Sequence, residues 1–99
     1  MITSAEFVER LKAMRPNCYM HGDVIQRDDP RMMTSMKDIL MTFDLVNDPG
    51  YKDFITATSH LTGKTINRFT NIHQSVDDLL KKQLMTRVLS RLSGTCIQR

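Results

Sequence analysis

Apolar residues recur at helical spacing in three stretches of the chain. Phe7, Val8, Leu11 and Met14 fall three and four positions apart. Just before them, Thr3-Ser4-Ala5-Glu6 sets a hydroxyl three residues ahead of a carboxylate, so each can cap the other's backbone N–H. The pattern predicts a helix over about residues 4–14, ended by Pro16. Met32, Met36, Ile39, Leu40, Phe43 and Val46 repeat the spacing and predict a helix from Met32 to Val46, stopped by Asn47-Asp48-Pro49-Gly50. Tyr51, Phe54 and Ile55 leave room for one further turn. In the third stretch, Val76, Leu79, Leu80, Leu84, Val88 and Leu92 form an apolar stripe. Ser75 is placed to cap it, and Asp77 and Asp78 suit the positive end of its dipole. Helix is expected from about 76 to 97, with Gly94 a weak point costing roughly 1 kcal/mol relative to Ala.

Between these stretches the pattern changes. Cys18-Tyr19-Met20 and Val24-Ile25-Gln26 flank His21-Gly22-Asp23, which predicts a short hairpin near residues 18–26. Arg27-Asp28-Asp29-Pro30 reads as a loop, because Pro30 disfavours helical geometry at Asp29. Residues 56–74 are rich in hydroxyls and amides and show no clean period. They read as a long irregular segment of the kind that is functional or poorly ordered. No C-cap is expected before the chain stops at Arg99, and a helix ending in mid-stride suggests a truncated domain.

Composition narrows the class. Ninety-nine residues allow one small domain with a thin stability margin. Hydrophobic residues at 40% and charged residues at 25% are ordinary for a folded soluble chain. Eight Met and no Trp suit a core of irregular gaps, and less strongly a surface that repacks against a partner. Fourteen Lys and Arg against eleven Asp and Glu give a net charge of +3, and the basic residues form no run: Lys64, Arg68, Lys81, Lys82, Arg87, Arg91 and Arg99 are spread over the C-terminal half, with Asp77 and Asp78 among them. No helix clusters Arg, Asn or Gln for reading DNA, so nucleic acid is the last-ranked partner. Residues 1–15 carry Glu6, Glu9, Arg10, Lys12 and Arg15, which is no secretory leader, and no apolar run approaches a membrane span. Cys18 and Cys96 are too few for a disulfide framework. A cytoplasmic chain with reduced thiols, making no membrane contact, is the expectation.

Most short motifs dissolve on inspection. Gly63-Lys64-Thr65 has Thr58 where a phosphate loop needs its first glycine, and no apolar strand precedes it. His21, His60 and His73 are not at metal spacing, and no Cys-x-x-Cys exists. Asp28-Asp29 fits a turn and Asp77-Asp78 fits helix capping better than acid–base chemistry. Taken alone, Cys96 is best explained as a small buried apolar residue.

Longer segments carry a resemblance. These are Tyr19 to Ile25, Met41 to Pro49, Thr58 to Phe69, and Gln74 to Leu79, continuing to Cys96-Ile97-Gln98-Arg99. Together they resemble the N-terminus of the 4-hydroxyphenylacetate 3-hydroxylase family of flavoproteins, over essentially the whole chain. Within it the dehydratase/isomerase branch acting on 4-hydroxybutyryl-CoA is most similar, and Gly63–Asp78 is the most specific part.

The resemblance implies a mainly α fold, the first part of an acyl-CoA-dehydrogenase-like helical domain, with residues 1–99 a single partial domain of a longer enzyme. It implies a tetramer whose FAD lies between domains and subunits. In the dehydratase branch it implies a [4Fe–4S] cluster held by three Cys and one His. Cys96 matches the first ligand of that branch's Cys-Phe-Gln-Arg-Cys-like segment, with Ile97 in place of Phe. One thiolate cannot hold a cluster. In the hydroxylase branch an Arg aligned with Arg99 binds a phenolic acid, which suits a guanidinium. Thr58, Lys64, Asn67 and Arg68 are the candidate cofactor-binding residues, on a loop that equally fits a plain inter-helix connection. The expected substrate is a CoA ester or a phenolic acid. The isolated chain is expected to hold no cofactor and to catalyse nothing, with an exposed apolar patch that favours self-association. A stand-alone helical interaction module is the competing reading.

Overall fold

The structure, a computed structural model, describes residues 1–94, which form two compact units. It is mainly helical, with two small antiparallel hairpins.

One unit comprises Ile2–Phe43. Its first helix, α1, spans Ser4–Lys12. The reciprocal cap expected from the sequence is present: the Glu6 backbone N–H donates to Thr3 Oγ1 at 3.2 Å, and the Thr3 N–H donates to Glu6 Oε2 at 2.8 Å. That second bond holds the Glu6 carboxyl below its ordinary pKa. Phe7 of α1 stacks on Phe43, with ring centroids 4.7 Å apart. Strands β1 (Cys18–Met20) and β2 (Asp23–Ile25) pair with Tyr19 opposite Val24, and Ile25 is buried. The turn residues are His21 and Gly22, at φ 51° and 87°. Two successive positive φ values are what a two-residue hairpin turn of right-handed twist requires. Arg27 closes the base of the hairpin, donating to Asn17 Oδ1 and to the Arg15 carbonyl.

Helix α2 spans Pro30–Asp44, two residues earlier at each end than the hydrophobic repeat suggests. Pro30 is tolerated in its first turn because no intrahelical acceptor exists for the N–H it lacks. Asp29 governs this start. Its Oδ1 accepts from the Arg31 N–H and Nε, and its Oδ2 from Nη2, each at 2.9 Å. The Arg31 side-chain bonds, then the backbone bond, pull the Asp29 carboxyl down to about 2. A folded pKa below the unfolded one contributes stability that is complete above pH ~4 and is lost as pH falls from there through about 2. A carbon-detected NMR titration is expected to place the Asp29 midpoint near 2. A midpoint at the ordinary Asp value would show that the fork is not formed.

Among the described residues, the other unit comprises residues 44–94 together with Met1. A 3₁₀ turn (Leu45–Asn47) leads to α3 (Lys52–Ile55), the further turn expected around Phe54. Residues 56–67 depart from the irregular segment expected there. Strand β3 (Thr56–Thr58) pairs with β4 (Thr65–Asn67), Thr58 lying opposite Thr65. Threonine favours extended backbone even without an apolar alternation to announce it. Ser59 organises the connecting loop: its N–H donates to the Lys64 carbonyl, its carbonyl accepts from Gly63, and its Oγ accepts from the Leu61 N–H. A second 3₁₀ turn (Arg68–Thr70) follows.

Helix α4 spans Val76–Ser93, capped by Ser75 Oγ, which accepts from the Asp78 N–H. It ends four residues short of the expected position 97. Gly94, at φ 72°, is a left-handed C-cap whose N–H donates to the Ser90 carbonyl. The glycine expected to weaken the helix, with no stop before Arg99, is the stop itself. The core of this unit is Val46, Ile55, Met85 and Leu89. The expected stripe is not the buried one: Val76, Leu79, Leu80, Leu84 and Leu92 are all exposed.

Candidate functional site

The sequence-derived cofactor-binding residues all fall on the β3–β4 hairpin and the turn after it, and the structure gives them different tasks. Arg68 is only 7% exposed. Its Nε donates to the Phe54 carbonyl at 2.8 Å, and its Nη2 donates to the carbonyls of Asp53 and Thr56. A single planar guanidinium thus ties the end of α3 to the start of β3, the geometry in which Arg outperforms Lys. Asn67 Oδ1 accepts from the Phe69 N–H at 3.0 Å and starts the second 3₁₀ turn. Thr58 and Lys64 are exposed, at the end of β3 and in the loop.

Thr58 and Arg68 meet at an open groove of about 450 Å³. Lys52, Asp53, Thr56, Ala57, Thr65, Asp78 and Lys81 also line it, whereas Lys64 and Asn67 do not. Three cationic side chains, two carboxylates and a cross-strand pair of hydroxyls converge on one concave surface. Lys81 Nζ lies 2.6 Å from Asp77 Oδ2, and Asp78 Oδ2 accepts from the Gln74 N–H at 2.9 Å. These donors and acceptors suit a polar or anionic ligand held by hydrogen bonds. Arg68 is spent on backbone carbonyls, Lys81 on Asp77 and Asp78 on a backbone N–H, so the arrangement among the described residues fits binding rather than bond breaking.

Sequence reading missed Lys52, Thr65 and Lys81. Thr65 reaches the groove because it pairs with Thr58, which only the hairpin register reveals. Lys81 reaches it because α4 packs on α3. Cys96 and Arg99 lie outside the described residues. Cys18 is half-buried in β1. Among the described residues no group of three or more His, Cys, Asp or Glu side chains could hold a metal ion, and no helix is long and apolar enough to cross a membrane.

With this geometry in view, similarity to characterised proteins becomes specific. Residues 3–99 match the family described as 4-hydroxyphenylacetate 3-hydroxylase N terminal. A 4-hydroxybutyryl-CoA dehydratase/vinylacetyl-CoA-Delta-isomerase of Clostridium aminobutyricum is 42% identical over 101 residues, covering all of this chain and 21% of that protein. The oxygen-tolerant archaeal 4-hydroxybutyryl-CoA dehydratase of N. maritimus superposes on 98% of the chain with a TM-score of 0.86 at 29% identity. The oxygenase component of 4-hydroxyphenylacetate 3-monooxygenase, solved in complex with FAD, superposes on 93% with a TM-score of 0.76. At 22% identity that last likeness concerns the fold. The chain spans about a fifth of the length of each of these proteins.

Proposed function

The chain belongs to the 4-hydroxyphenylacetate 3-hydroxylase family, through that family's N-terminal part, and on this premise we propose that it is the N-terminal segment of a flavin-dependent enzyme of the 4-hydroxybutyryl-CoA dehydratase/isomerase type. The observation that carries the choice of branch is the 42% identity to the Clostridium aminobutyricum protein. It exceeds the 22% to the monooxygenase component. The proposed setting is a single partial helical domain, the opening of an acyl-CoA-dehydrogenase-like fold, in a cytoplasmic homo-oligomer acting on a CoA ester.

In that setting FAD and a [4Fe–4S] cluster would supply the redox and Lewis-acid chemistry. This chain's share is binding and placement. The hydroxyls of Thr58 and Thr65 and the cations Lys52 and Lys81 fit a wall of the flavin or CoA channel. Lys64 and Asn67 border it on the same hairpin and turn. Arg68 sets the hairpin's position through its three carbonyls. Cys96 is the one residue proposed as a cluster ligand, and a single thiolate does not fit a cluster by itself. Arg99 is proposed to face the substrate's anionic end. The 99 residues by themselves are therefore expected to bind no flavin stoichiometrically and to turn nothing over.

The test is the complete reading frame that contains this sequence. A cysteine codon four positions after Cys96 is expected. So is anaerobic conversion of 4-hydroxybutyryl-CoA by the purified product, with flavin and iron–sulfur absorbance. Flavin-dependent hydroxylation of 4-hydroxyphenylacetate, with no iron, would replace this reading by the monooxygenase one. A stop codon directly after Arg99 would favour a stand-alone helical module.

A further inference from the structure

Four polar residues are buried among those described: Thr42, Ser59, Arg68 and Asn71. Burying a polar side chain is costly unless a hydrogen bond replaces the water it loses. Three of the four are accounted for inside the chain. Thr42 Oγ1 donates to the Ile39 carbonyl at 2.7 Å, Ser59 Oγ accepts from the Leu61 N–H, and Arg68 donates to its three carbonyls. Asn71 is the exception. It is 9% exposed, and its side-chain amide has no hydrogen-bond partner among the described residues.

The backbone does not call for asparagine there either. Asn71 follows the Arg68–Thr70 turn at φ −71° and ψ 129°, extended geometry open to any residue. It is not in the left-handed conformation that asparagine tolerates, and it makes no side-chain turn of the kind Asn67 makes with the Phe69 N–H. Its own N–H donates to the Arg68 carbonyl at 3.1 Å, which fixes it to the residue that ties α3 to β3. Among the described residues no side-chain N or O atom is both sealed from solvent and unpaired. The Asn71 amide therefore keeps both polar atoms at what remains of the residue's surface, a narrow opening that holds a donor and an acceptor. Burial, unlike exposure, only grows as further chain packs around a segment. An amide covered to nine-tenths here loses its last water contacts once anything lies over it.

Resting on the reading that these residues open a longer enzyme, of whichever branch, we propose that the Asn71 side chain is a docking point for the main chain of a later segment of that enzyme. Nδ2 donates to a backbone carbonyl and Oδ1 accepts from a backbone N–H. A peptide group matches the paired donor and acceptor of an amide, and backbone and water are the usual partners of polar side chains. The matched part is 21% of the Clostridium aminobutyricum protein and 19% of the archaeal one, so most of the main chain of such an enzyme is available to supply the contact. The contact seats the Arg68 clamp, and through it the β3–β4 hairpin, against the rest of the enzyme.

Solvent exchange of the Asn71 side-chain amide protons tests this, read by NMR with isotope-labelled asparagine in the 99-residue chain and in the complete enzyme without substrate. Exchange is expected to be at least roughly tenfold slower in the enzyme. Asn71→Leu, similar in size to the amide, should leave the urea midpoint of the 99-residue chain unchanged or raised, because no internal bond is lost. In the enzyme the same variant should speed backbone exchange at residues 68–73 roughly tenfold. If that variant does not fold as the enzyme, the wild-type exchange comparison still decides. Equal exchange in chain and enzyme overturns the proposal. So does a lowered midpoint in the 99-residue variant, which would give the amide a partner within the chain. Protection lost on removing the flavin, or gained only on adding 4-hydroxybutyryl-CoA, would overturn it in favour of a small-molecule contact. A reading frame that stops at Arg99 removes the enzyme reading and the docking together, whereas a longer product with an unprotected amide removes the docking alone.

Discussion

Met85→Ala, Leu89→Ala and Ile55→Ala are each expected to cost about 2–5 kcal/mol, because each removes a side chain no more than 2% exposed and leaves a void. For a small domain that is a large share of a total stability of roughly 5–15 kcal/mol. Leu80→Ala and Val76→Ala on the same helix are expected to change the stability of the monomer by no more than about 0.5 kcal/mol. Urea denaturation, followed by circular dichroism at concentrations low enough to keep the chain monomeric, makes the comparison. The reverse ranking would mean that the stripe of Val76, Leu80 and Leu84 is the core face and that α4 is rotated about its axis.

The second large effect is expected at Arg68. Arg68→Ala leaves the carbonyls of Asp53, Phe54 and Thr56 without their donor. The three bonds are part-buried, so the low end of roughly 1–3 kcal/mol for each unpaired group applies and a loss near 3 kcal/mol is the upper bound. Arg68→Lys should recover only part of it, because an ammonium cannot reach several carbonyls in one plane. Hydrogen exchange at residues 56–58 should accelerate in both variants, since the clamp ends at β3. Unchanged stability and exchange in Arg68→Ala would assign the residue to ligand contact alone.

These two predictions mark where sequence and structure part. The Thr3–Glu6 cap, the hairpin around His21-Gly22 and the Ser75 cap were legible because each depends on residues within a few positions. Helix α4 was legible as a helix, but its buried side was not. Periodicity reports which faces avoid water, and α4 has two such faces, the denser of which is exposed in this unit. The β3–β4 hairpin was hidden because Thr56-Ala57-Thr58 and Thr65-Ile66-Asn67 are bound more by backbone pairing and by Ser59 than by apolar alternation. The candidate groove was half visible. Thr58 and Arg68 stood out as polar residues in an unusual segment, whereas Lys52, Thr65 and Lys81 join them only through strand register and helix packing.

The Arg68 clamp also bears on the order in which this unit assembles. Its three bonds join residues 12–15 positions apart. Chain segments of that length meet within about 10–100 ns. A ribosome adds roughly 5–20 residues per second. Once residues 52–68 have cleared the exit tunnel, α3, the hairpin and the guanidinium can therefore find one another before α4 has followed them out. Ile55 then waits for Met85 and Leu89, and for that interval the nascent chain leaves a residue of its future core uncovered to whatever chaperone attends it.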